Sequence, residues 1–290
     1  MAIMKCETLT KAYGKKTVLK ELDLTLESGR IYGLIGRNGA GKTTLLSIMS
    51  NQNPATSGVV TLDGENIWEN RNALDRICFS RELIPGNRNG LMGCTVKRYL
   101  TVAAAYLPNW DMDMANKLVK QYKVDVWEKL STLSKGMLSA VTIIVAMASK
   151  AEFTFLDEPV AGLDIVAREE FYQMLLEEHT QTGRTFVVST HILEEAANVI
   201  EDVIILRDGE ILLKENTLEL LDRACYVTGL TDQVDMAVAG LQSYRPEKLG
   251  RSKGVTVLLR EGESVDRKYD VTVQPISLQR VFVALCGEEG

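Results

Sequence analysis

The sequence predicts an α/β fold with a parallel sheet at its centre, an N-terminal antiparallel β layer, a helical insert and a small C-terminal unit. Short apolar runs at 31–35, 153–156 and 185–189 are typical of strands buried on both faces. An amphipathic segment at 166–179 separates the last two runs, and this strand, helix, strand order indicates a parallel sheet. A glycine-rich loop follows the first run and opens a helix.

The N-terminal region is predicted to be mostly β-structure. Apolar and polar residues alternate at 3–9 and 18–26, as in antiparallel strands with one buried face. Residues 43–49 are predicted to be helical. Residues 54–64 contain one proline and two glycines around a strand-like stretch, which indicates a turn, a strand and a second turn.

The middle of the chain is predicted to be a helical insert at about 85–150. Residues 85–93 are rich in glycine and asparagine and are therefore expected to form a loop. From residue 94 to about 149, apolar residues recur at spacings of three and four, which is typical of amphipathic helices.

The pattern of apolar and polar residues changes in the last part of the chain. Asp208 and Gly209 lie between two apolar runs and predict a hairpin. Beyond the hairpin, the pattern weakens into short strand-like pieces at 255–259 and 269–273. The sequence therefore predicts a main domain at 1–222 and a small α+β accessory domain at 223–290, whose role its composition does not indicate.

The composition narrows the class of function. Hydrophobic residues make up 46% of the 290 residues and charged residues 25%, as in folded globular proteins. A net charge of −6 argues against binding nucleic acid by broad phosphate neutralisation. The longest uncharged stretch, 136–149, is too short to span a bilayer. Five cysteines without a CxxC pair, and two histidines, encode neither a zinc site nor a disulfide framework.

The glycine-rich loop carries a phosphate-binding pattern. Its residues, GRNGAGKTT at 36–44, satisfy G-x-x-x-x-G-K-[ST] between a buried strand and a helix. Glycines let the backbone approach phosphate oxygens, and amide groups at the helix N-terminus point at them. The Thr43 hydroxyl is expected to ligate Mg²⁺. The predicted nucleotide-binding residues are Gly36, Arg37, Asn38, Gly39, Ala40, Gly41, Lys42, Thr43 and Thr44.

Two adjacent carboxylates follow a second buried strand. Asp157 and Glu158 lie at its carboxyl end, where open α/β sheets bind their ligands. Asp157 is suited to hold Mg²⁺ through water, and Glu158 is suited to accept a proton from water that attacks the γ-phosphate. Without the phosphate loop, two solvated turn acids before Pro159 would be the default interpretation. Together, the loop and the acids predict hydrolysis of a nucleoside triphosphate.

Five further motifs occur in a characteristic order along the chain. They are Tyr13, ICFSRE at 77–82, LSKGM at 133–137, AGLD at 161–164 and STH at 189–191. With these motifs, residues 1 to about 220 resemble the ATP-binding subunits of ABC transporters. The resemblance is greatest to bacterial export-type systems, including those that expel antimicrobial or membrane-active peptides, so ATP and Mg²⁺ are the expected ligands.

The resemblance implies roles for three of these residues. Tyr13 corresponds to an aromatic residue that stacks on adenine, although a packing tyrosine would look the same in sequence. Asp164 belongs to a loop that crosses a dimer interface, or else to an ordinary helix start. His191 corresponds to a histidine that reaches the γ-phosphate, whereas His179 has no such support.

Two segments depart from the family pattern. Where the family has LSGGQ, which caps the γ-phosphate held by a second subunit, this chain has Ser134, Lys135 and Gly136 followed by Met137. A serine capping an ordinary helix is the alternative interpretation. Where the family usually has a glutamine that contacts the metal, Glu82 is the best match, and its carboxylate is the third predicted metal ligand.

The resemblance also implies partners. Each chain has one phosphate loop and one signature, so a second ABC ATPase subunit, identical or a paralogue, would complete each site. Integral membrane permease subunits would dock on the helical insert and on 77–98, at the cytoplasmic face of the membrane. Two alternatives stay open: a soluble ABC ATPase acting on ribosomes or DNA, and a nucleotide switch, for which no NKxD motif is present.

Overall fold

Residues 1–83 and 90–287 are described in this computed structural model, and they form three β-sheets with helices packed around them. The strands are β1 (Ile3–Tyr13), β2 (Lys16–Glu27), β3 (Ile31–Ile35), β4 (Ser57–Leu62), β5 (Glu65–Asn66), β6 (Ile77–Ser80), β7 (Phe153–Asp157), β8 (Thr185–Ser189), β9 (Asp202–Arg207), β10 (Glu210–Asn216), β11 (Ala224–Leu230), β12 (Ser243–Leu249), β13 (Ser252–Leu258) and β14 (Val271–Pro275).

The described part of the chain also contains ten α-helices. They are α1 (Lys42–Met49), α2 (Arg71–Leu74), α3 (Val96–Tyr106), α4 (Met112–Gln121), α5 (Lys135–Ala148), α6 (Ile165–Thr182), α7 (Leu193–Ala196), α8 (Thr217–Asp222), α9 (Thr231–Ala237) and α10 (Leu278–Cys286). Short 3-10 helices lie at Gly90–Gly93 and Leu130–Thr132. Most of the predicted 85–93 loop falls outside the described residues, and its last four residues form the first of these 3-10 helices.

The central sheet has the strand order β10-β9-β3-β8-β7-β6. All neighbours pair in parallel except β10, which forms the predicted hairpin with β9. Every residue of β3, β7 and β8 is buried, as expected for strands covered by helices on both faces. The predicted parallel sheet is confirmed, and its central strands all end at the same edge.

An antiparallel sheet with the order β2-β1-β4-β5 forms the N-terminal layer. The observed strands β1 and β2 are longer than the predicted 3–9 and 18–26. Register shifts follow Cys6, and Thr8 has a positive φ of 47°, so the alternation of buried side chains is broken partway along β1. The strand continues beyond this irregularity to Tyr13.

The helical insert packs on the face of the sheet formed by β7 and β8. Leu118 of α4 and Leu138, Val141 and Ile144 of α5, all predicted from their spacing to be on helices, are buried in one hydrophobic cluster with Leu156 of β7. Throughout the described parts of the chain, no helix combines the length and the apolar character needed to cross a bilayer.

The C-terminal segment forms its own antiparallel sheet, with the order β12-β13-β11-β14. The predicted strand at 269–273 is found two residues later, as β14. Helix α10 packs Leu278 and Val281 into a hydrophobic cluster that also contains Val203 and Ile205 of β9. The segment therefore rests on the edge of the main domain, and its role as an accessory domain stays a prediction.

A buried arginine joins the insert to the central sheet. Arg184, at the start of β8, is 5% exposed and donates hydrogen bonds to the carbonyl oxygens of Ala146 and Ala151. It also donates to the Thr154 hydroxyl at 2.7 Å and to Glu178 Oε1 at 3.0 Å. Burial lowers the pKa of Arg184, an effect that Glu178 opposes. One side chain thus connects the end of α5, the start of β7 and helix α6.

Replacing this arginine should destabilise the whole domain. Arg184→Met leaves several buried acceptors without their donor, so we expect the free energy of unfolding in urea to fall by about 3 kcal/mol. The matched control is Arg71→Met, since Arg71 is 91% exposed and pairs with Asp75 at the surface. That change should stay within about 0.5 kcal/mol. Equal losses in both variants would contradict the structural role of Arg184.

Candidate active site

The phosphate loop connects β3 to α1, at the carboxyl edge of the sheet. Gly41 precedes the helix with a φ of 110°, and a Cβ at this position would lie 2.8 Å from Leu19 Cδ2. A Cβ on Gly36 would lie 2.5 Å from the carbonyl oxygen of Leu206. Both positions therefore require glycine, because β2 and β9 press against the loop from either side.

The lysine of this loop is held inside it. Lys42 is the first residue of α1 and is buried. Its Nζ donates to the carbonyl oxygen of Gly36 at 2.8 Å and lies 3.5 Å from that of Arg37. The ammonium group and the N-terminus of α1 consequently place positive charge at the same point, as an anion-binding loop requires.

Asp157 connects the ends of two strands to the phosphate loop. Its Oδ2 accepts a hydrogen bond from Thr43 Oγ1 at 2.7 Å, and its Oδ1 accepts one from Ser189 Oγ at 2.7 Å. The carboxylate is 4% exposed. Ser189 was not among the predicted site residues, although its position at the end of a buried strand beside His191 could have indicated it.

Glu158 and His191 form a pair in front of this buried group. His191 Nδ1 lies 2.7 Å from Glu158 Oε2, with 60% of the histidine side chain exposed and 16% of the glutamate. Glu158 has a φ of 49°, and its amide donates to the carbonyl oxygen of Ser189. A non-glycine residue in this region costs about 1–3 kcal/mol and is typical of functional sites. The structure thus brings the two predicted catalytic residues into direct contact.

The signature segment lies against the loop that precedes α6. Ser134 caps α5 by accepting a hydrogen bond from the Met137 amide at 3.2 Å. A Cβ on Gly136 would lie 2.6 Å from the carbonyl oxygen of Gly162, so the two segments touch through their backbones. Asp164 caps α6 by accepting from the Ala167 amide at 2.9 Å. Both polar side chains therefore have capping roles within the chain, and their predicted contacts with nucleotide stay predictions.

Two of the residues that depart from the family pattern, Glu82 and Lys135, contact each other. Lys135 Nζ lies 3.0 Å from Glu82 Oε1. Glu82 follows β6, at the edge of the central sheet, whereas Lys135 is the first residue of α5. The metal role predicted for Glu82 stays a prediction, and this ion pair was not predicted from the sequence.

Tyr13 lies at the end of β1, in the hairpin whose second strand presses on the phosphate loop. Its ring is half-exposed, and its hydroxyl oxygen lies 2.5 Å from Asn53 Nδ2, which donates to it. Lys11 Nζ lies 4.8 Å from the ring centroid. An exposed face with a fixed hydroxyl is compatible with stacking on a base, which stays the predicted role.

The geometry around Asp157 and Thr43 fits the predicted Mg²⁺. Magnesium prefers oxygen ligands and usually takes one or two from the protein, with phosphate oxygens and water completing its shell. Asp157 and Thr43 offer two such oxygens within hydrogen-bond distance of each other. Over residues 1–83 and 90–287, no group of three or more His, Cys, Asp or Glu side chains could hold a metal alone.

One buried residue near the catalytic pair is uncharged. Burial raises the pKa of the Tyr172 hydroxyl on α6, with smaller contributions from Glu195 and Glu158. The phenol therefore stays protonated at neutral pH and adds no charge near the catalytic pair.

Comparisons with known proteins agree with this site. The family model described as ABC transporter matches residues 19–161. The bacitracin transport ATP-binding protein BcrA of Enterococcus faecalis is 31% identical over 221 residues, covering 76% of this chain and 71% of that protein. The ABC transporter ATP-binding protein YtrB of Bacillus subtilis is 26% identical over 286 residues, covering 96% of both chains.

A solved structure shows the same fold. A bacterial ABC transporter cassette with a dimeric structure superposes with a TM-score of 0.63, at 25% identity, covering 74% of this chain and 98% of that chain. The chain therefore belongs to the ABC transporter family of ATP-binding proteins. It is an ATPase, and it is the ATP-binding subunit of a transporter. The predicted family, fold and ATPase activity are confirmed.

Removing the Ser189 hydroxyl tests the hydrogen bonds around Asp157. Ser189→Ala deletes one of the two donors to a buried carboxylate, a loss worth about 1.5–3 kcal/mol. We expect kcat for ATP hydrolysis to fall by at least about tenfold. The control is Thr185→Val, which removes a buried hydroxyl at the other end of β8 that accepts from the Gly29 amide. An equal fall in kcat for the control would assign the effect to the strand rather than to Asp157.

Proposed function

We propose that this chain hydrolyses Mg-ATP as one half of a dimer and thereby drives transport through separate membrane-spanning subunits. The observation that carries the proposal is the contact between Glu158 and His191, directly beside the Thr43 and Asp157 pair. A base, its orienting partner and two candidate metal ligands converge at the carboxyl edge of the parallel sheet. This is the arrangement that in-line attack of water on a γ-phosphate requires.

Each residue has a distinct task in this proposal. The loop amides and Lys42 bind the β- and γ-phosphates, while Thr43 and Asp157 hold Mg²⁺, which neutralises charge on the phosphate oxygens. Glu158 accepts a proton from water and aligns that water with the γ-phosphorus. His191 fixes the Glu158 carboxylate through their shared hydrogen bond and, being largely exposed, presents its other ring nitrogen to the phosphate.

The proposal requires a second chain because the signature lies on its own helix. Ser134, Lys135 and Gly136 open α5, a helix of 14 residues whose N-terminal amides favour an anion. Both Ser134 and Lys135 are exposed. We infer that this helix N-terminus caps the γ-phosphate of ATP held by a partner ATPase, so that ATP binding joins two chains and hydrolysis releases them.

Membrane permease subunits are the proposed partners on another surface. The helical insert exposes large apolar side chains on and around α3 and α4. They are Val102, Tyr106, Met112 and Trp127. Exposed apolar clusters of this kind are typical of protein interaction sites. With permease helices docked there, the chain would lie at the cytoplasmic face of the membrane.

The proposed substrate class comes from the family. The relative named for bacitracin transport supports export of an antimicrobial or membrane-active peptide. The ATPase chain itself would not contact such a peptide, since its role is to supply the energy of hydrolysis.

Replacing the proposed base should separate binding from hydrolysis. We expect Glu158→Gln to lower kcat for ATP hydrolysis by at least about a hundredfold, since an amide cannot accept the proton. Affinity for ATP, measured by equilibrium titration, should stay within about threefold. Glu152→Gln is the control, because Glu152 lies just before the same strand and pairs with Arg76. Normal turnover in Glu158→Gln would refute the assignment.

The hydrolysis-deficient variant also tests the dimer. With ATP, Glu158→Gln should elute as a dimer in size-exclusion chromatography. Adding Ser134→Asp should abolish this dimer: aspartate still caps α5, but its carboxylate would repel the partner's γ-phosphate.

Thr95→Asp, made in the same background, is the matched control. Thr95 caps α3 in the same insert by accepting from the Arg98 amide. This variant should keep the ATP-dependent dimer. Persistence of the dimer in the Ser134→Asp variant would show that the start of α5 does not face a nucleotide across the interface.

A further inference from the structure

The ion pair between Glu82 and Lys135 links two segments that are distant in sequence. Lys135 Nζ and Glu82 Oε1 are 3.0 Å apart, and the carboxylate is the less exposed partner. Glu82 lies two residues after β6, in the stretch where the family pattern has a glutamine that contacts the metal. Each residue adds a charge that the family pattern lacks at that position.

Lys135 touches a third segment as well. A Cβ on Gly162 would lie 2.8 Å from Lys135 Cγ, so the aliphatic stem crosses the loop that precedes α6. The ammonium group at the end of this stem then reaches Glu82. The side chain therefore lies across the loop before α6, and its charged end is fixed by Glu82. Lysine otherwise has a flexible four-carbon stem that loses conformational freedom when it is held in one place.

The Glu82 carboxylate already has a cationic partner in Lys135, 3.0 Å away. Asp157 and Thr43 form the proposed metal pair through their own hydrogen bond. A free carboxylate near the γ-phosphate would also repel it. Pairing with Lys135 removes that repulsion, and it fixes a cation at the N-terminus of α5, next to Ser134.

We propose that Glu82 is a positioning residue that acts through Lys135, and that it does not ligate Mg²⁺. Glu82 holds the Lys135 ammonium at the start of α5, where it meets the γ-phosphate of ATP bound by the partner chain. The proposal rests on the proposed function, in which α5 faces that nucleotide. Lys135 would then favour the binding of a nucleoside triphosphate over that of a diphosphate.

A double-mutant cycle on ATP hydrolysis tests the proposal. The variants are Glu82→Gln, Lys135→Met and the double variant, with Lys129→Met as the control for loss of an exposed lysine in the same insert. Glu82→Gln should raise the ATP concentration for half-maximal hydrolysis about two- to fivefold, as expected for a partly exposed ion pair. Lys135→Met should raise it about tenfold, since a charge-assisted contact is lost.

The decisive comparison is the effect of Glu82→Gln in the two backgrounds. If Glu82 acts through Lys135, then Glu82→Gln has no further effect once Lys135 is methionine. Lys135→Arg should keep most of the wild-type behaviour, because arginine can form the same pair. The Mg²⁺ concentration for half-maximal activity at fixed ATP should be unchanged by Glu82→Gln. Lys129→Met should resemble the wild type in all these measurements.

Two results would overturn the inference. One is an effect of Glu82→Gln of the same size in both backgrounds. The other is a severalfold rise in the Mg²⁺ requirement of Glu82→Gln, which would make Glu82 a metal ligand. Failure of the proposed function is distinguishable from either result. In that case Glu158→Gln would keep turnover, or it would not form a dimer with ATP.

Discussion

The site depends on the carboxylate of Asp157, which is bonded to Thr43 on one side and to Ser189 on the other. These three residues come from the start of α1 and from the ends of β7 and β8, and the carboxylate is nearly inaccessible to solvent. A buried charge is costly unless its hydrogen bonds are satisfied. The two hydrogen bonds therefore hold the ends of β7 and β8 and the start of α1 in fixed positions relative to one another.

This fixed centre explains why the neighbouring residue can be strained. Glu158 follows Asp157 directly and has a left-handed backbone conformation, held by its amide bond to the Ser189 carbonyl oxygen. This backbone conformation brings the Glu158 side chain into contact with that of His191, which is mostly exposed. The site therefore has a buried, hydrogen-bonded side at Asp157 and a solvent-exposed side at His191. A site that is completed by a second chain needs such an exposed side. The start of α5 is also exposed, as the complementary surface of that second chain would have to be.

The sequence predicted the parts of the fold that depend on local pattern. The runs at 31–35, 153–156 and 185–189 were buried on both faces as expected, and the periodic helices were found. Strand β6 was not predicted, because its apolar run is only three residues long, at 77–79. The length of β1 was underestimated, since the irregularity near Thr8 interrupts the alternation that defines a strand.

The site residues also divide into those that local sequence pattern reveals and those that depend on how distant segments pack. Asp157, Glu158 and His191 could be predicted because strand ends of a parallel sheet meet at one edge. The hydrogen bond from Ser189 could not be deduced with the same certainty, because which hydroxyl meets which carboxylate oxygen depends on the stagger of β7 and β8. The pair of Glu82 and Lys135 lay still further beyond the sequence, since it joins residues that are 53 positions apart through the packing of α5 beside β6.

The C-terminal unit illustrates how packing connects segments that sequence analysis treats separately. Arg207, at the end of β9, donates from Nη1 to the carbonyl oxygen of Leu285 at the end of α10, 2.9 Å away. A cavity of about 220 Å³ is lined both by residues of the phosphate loop, including Asn38, and by Cys286 of α10. Because β9 pairs directly with β3, which leads into that loop, the C-terminal unit and the nucleotide site share one strand pair. Helix α10 is therefore connected, through β9, to the strand that leads into the phosphate loop.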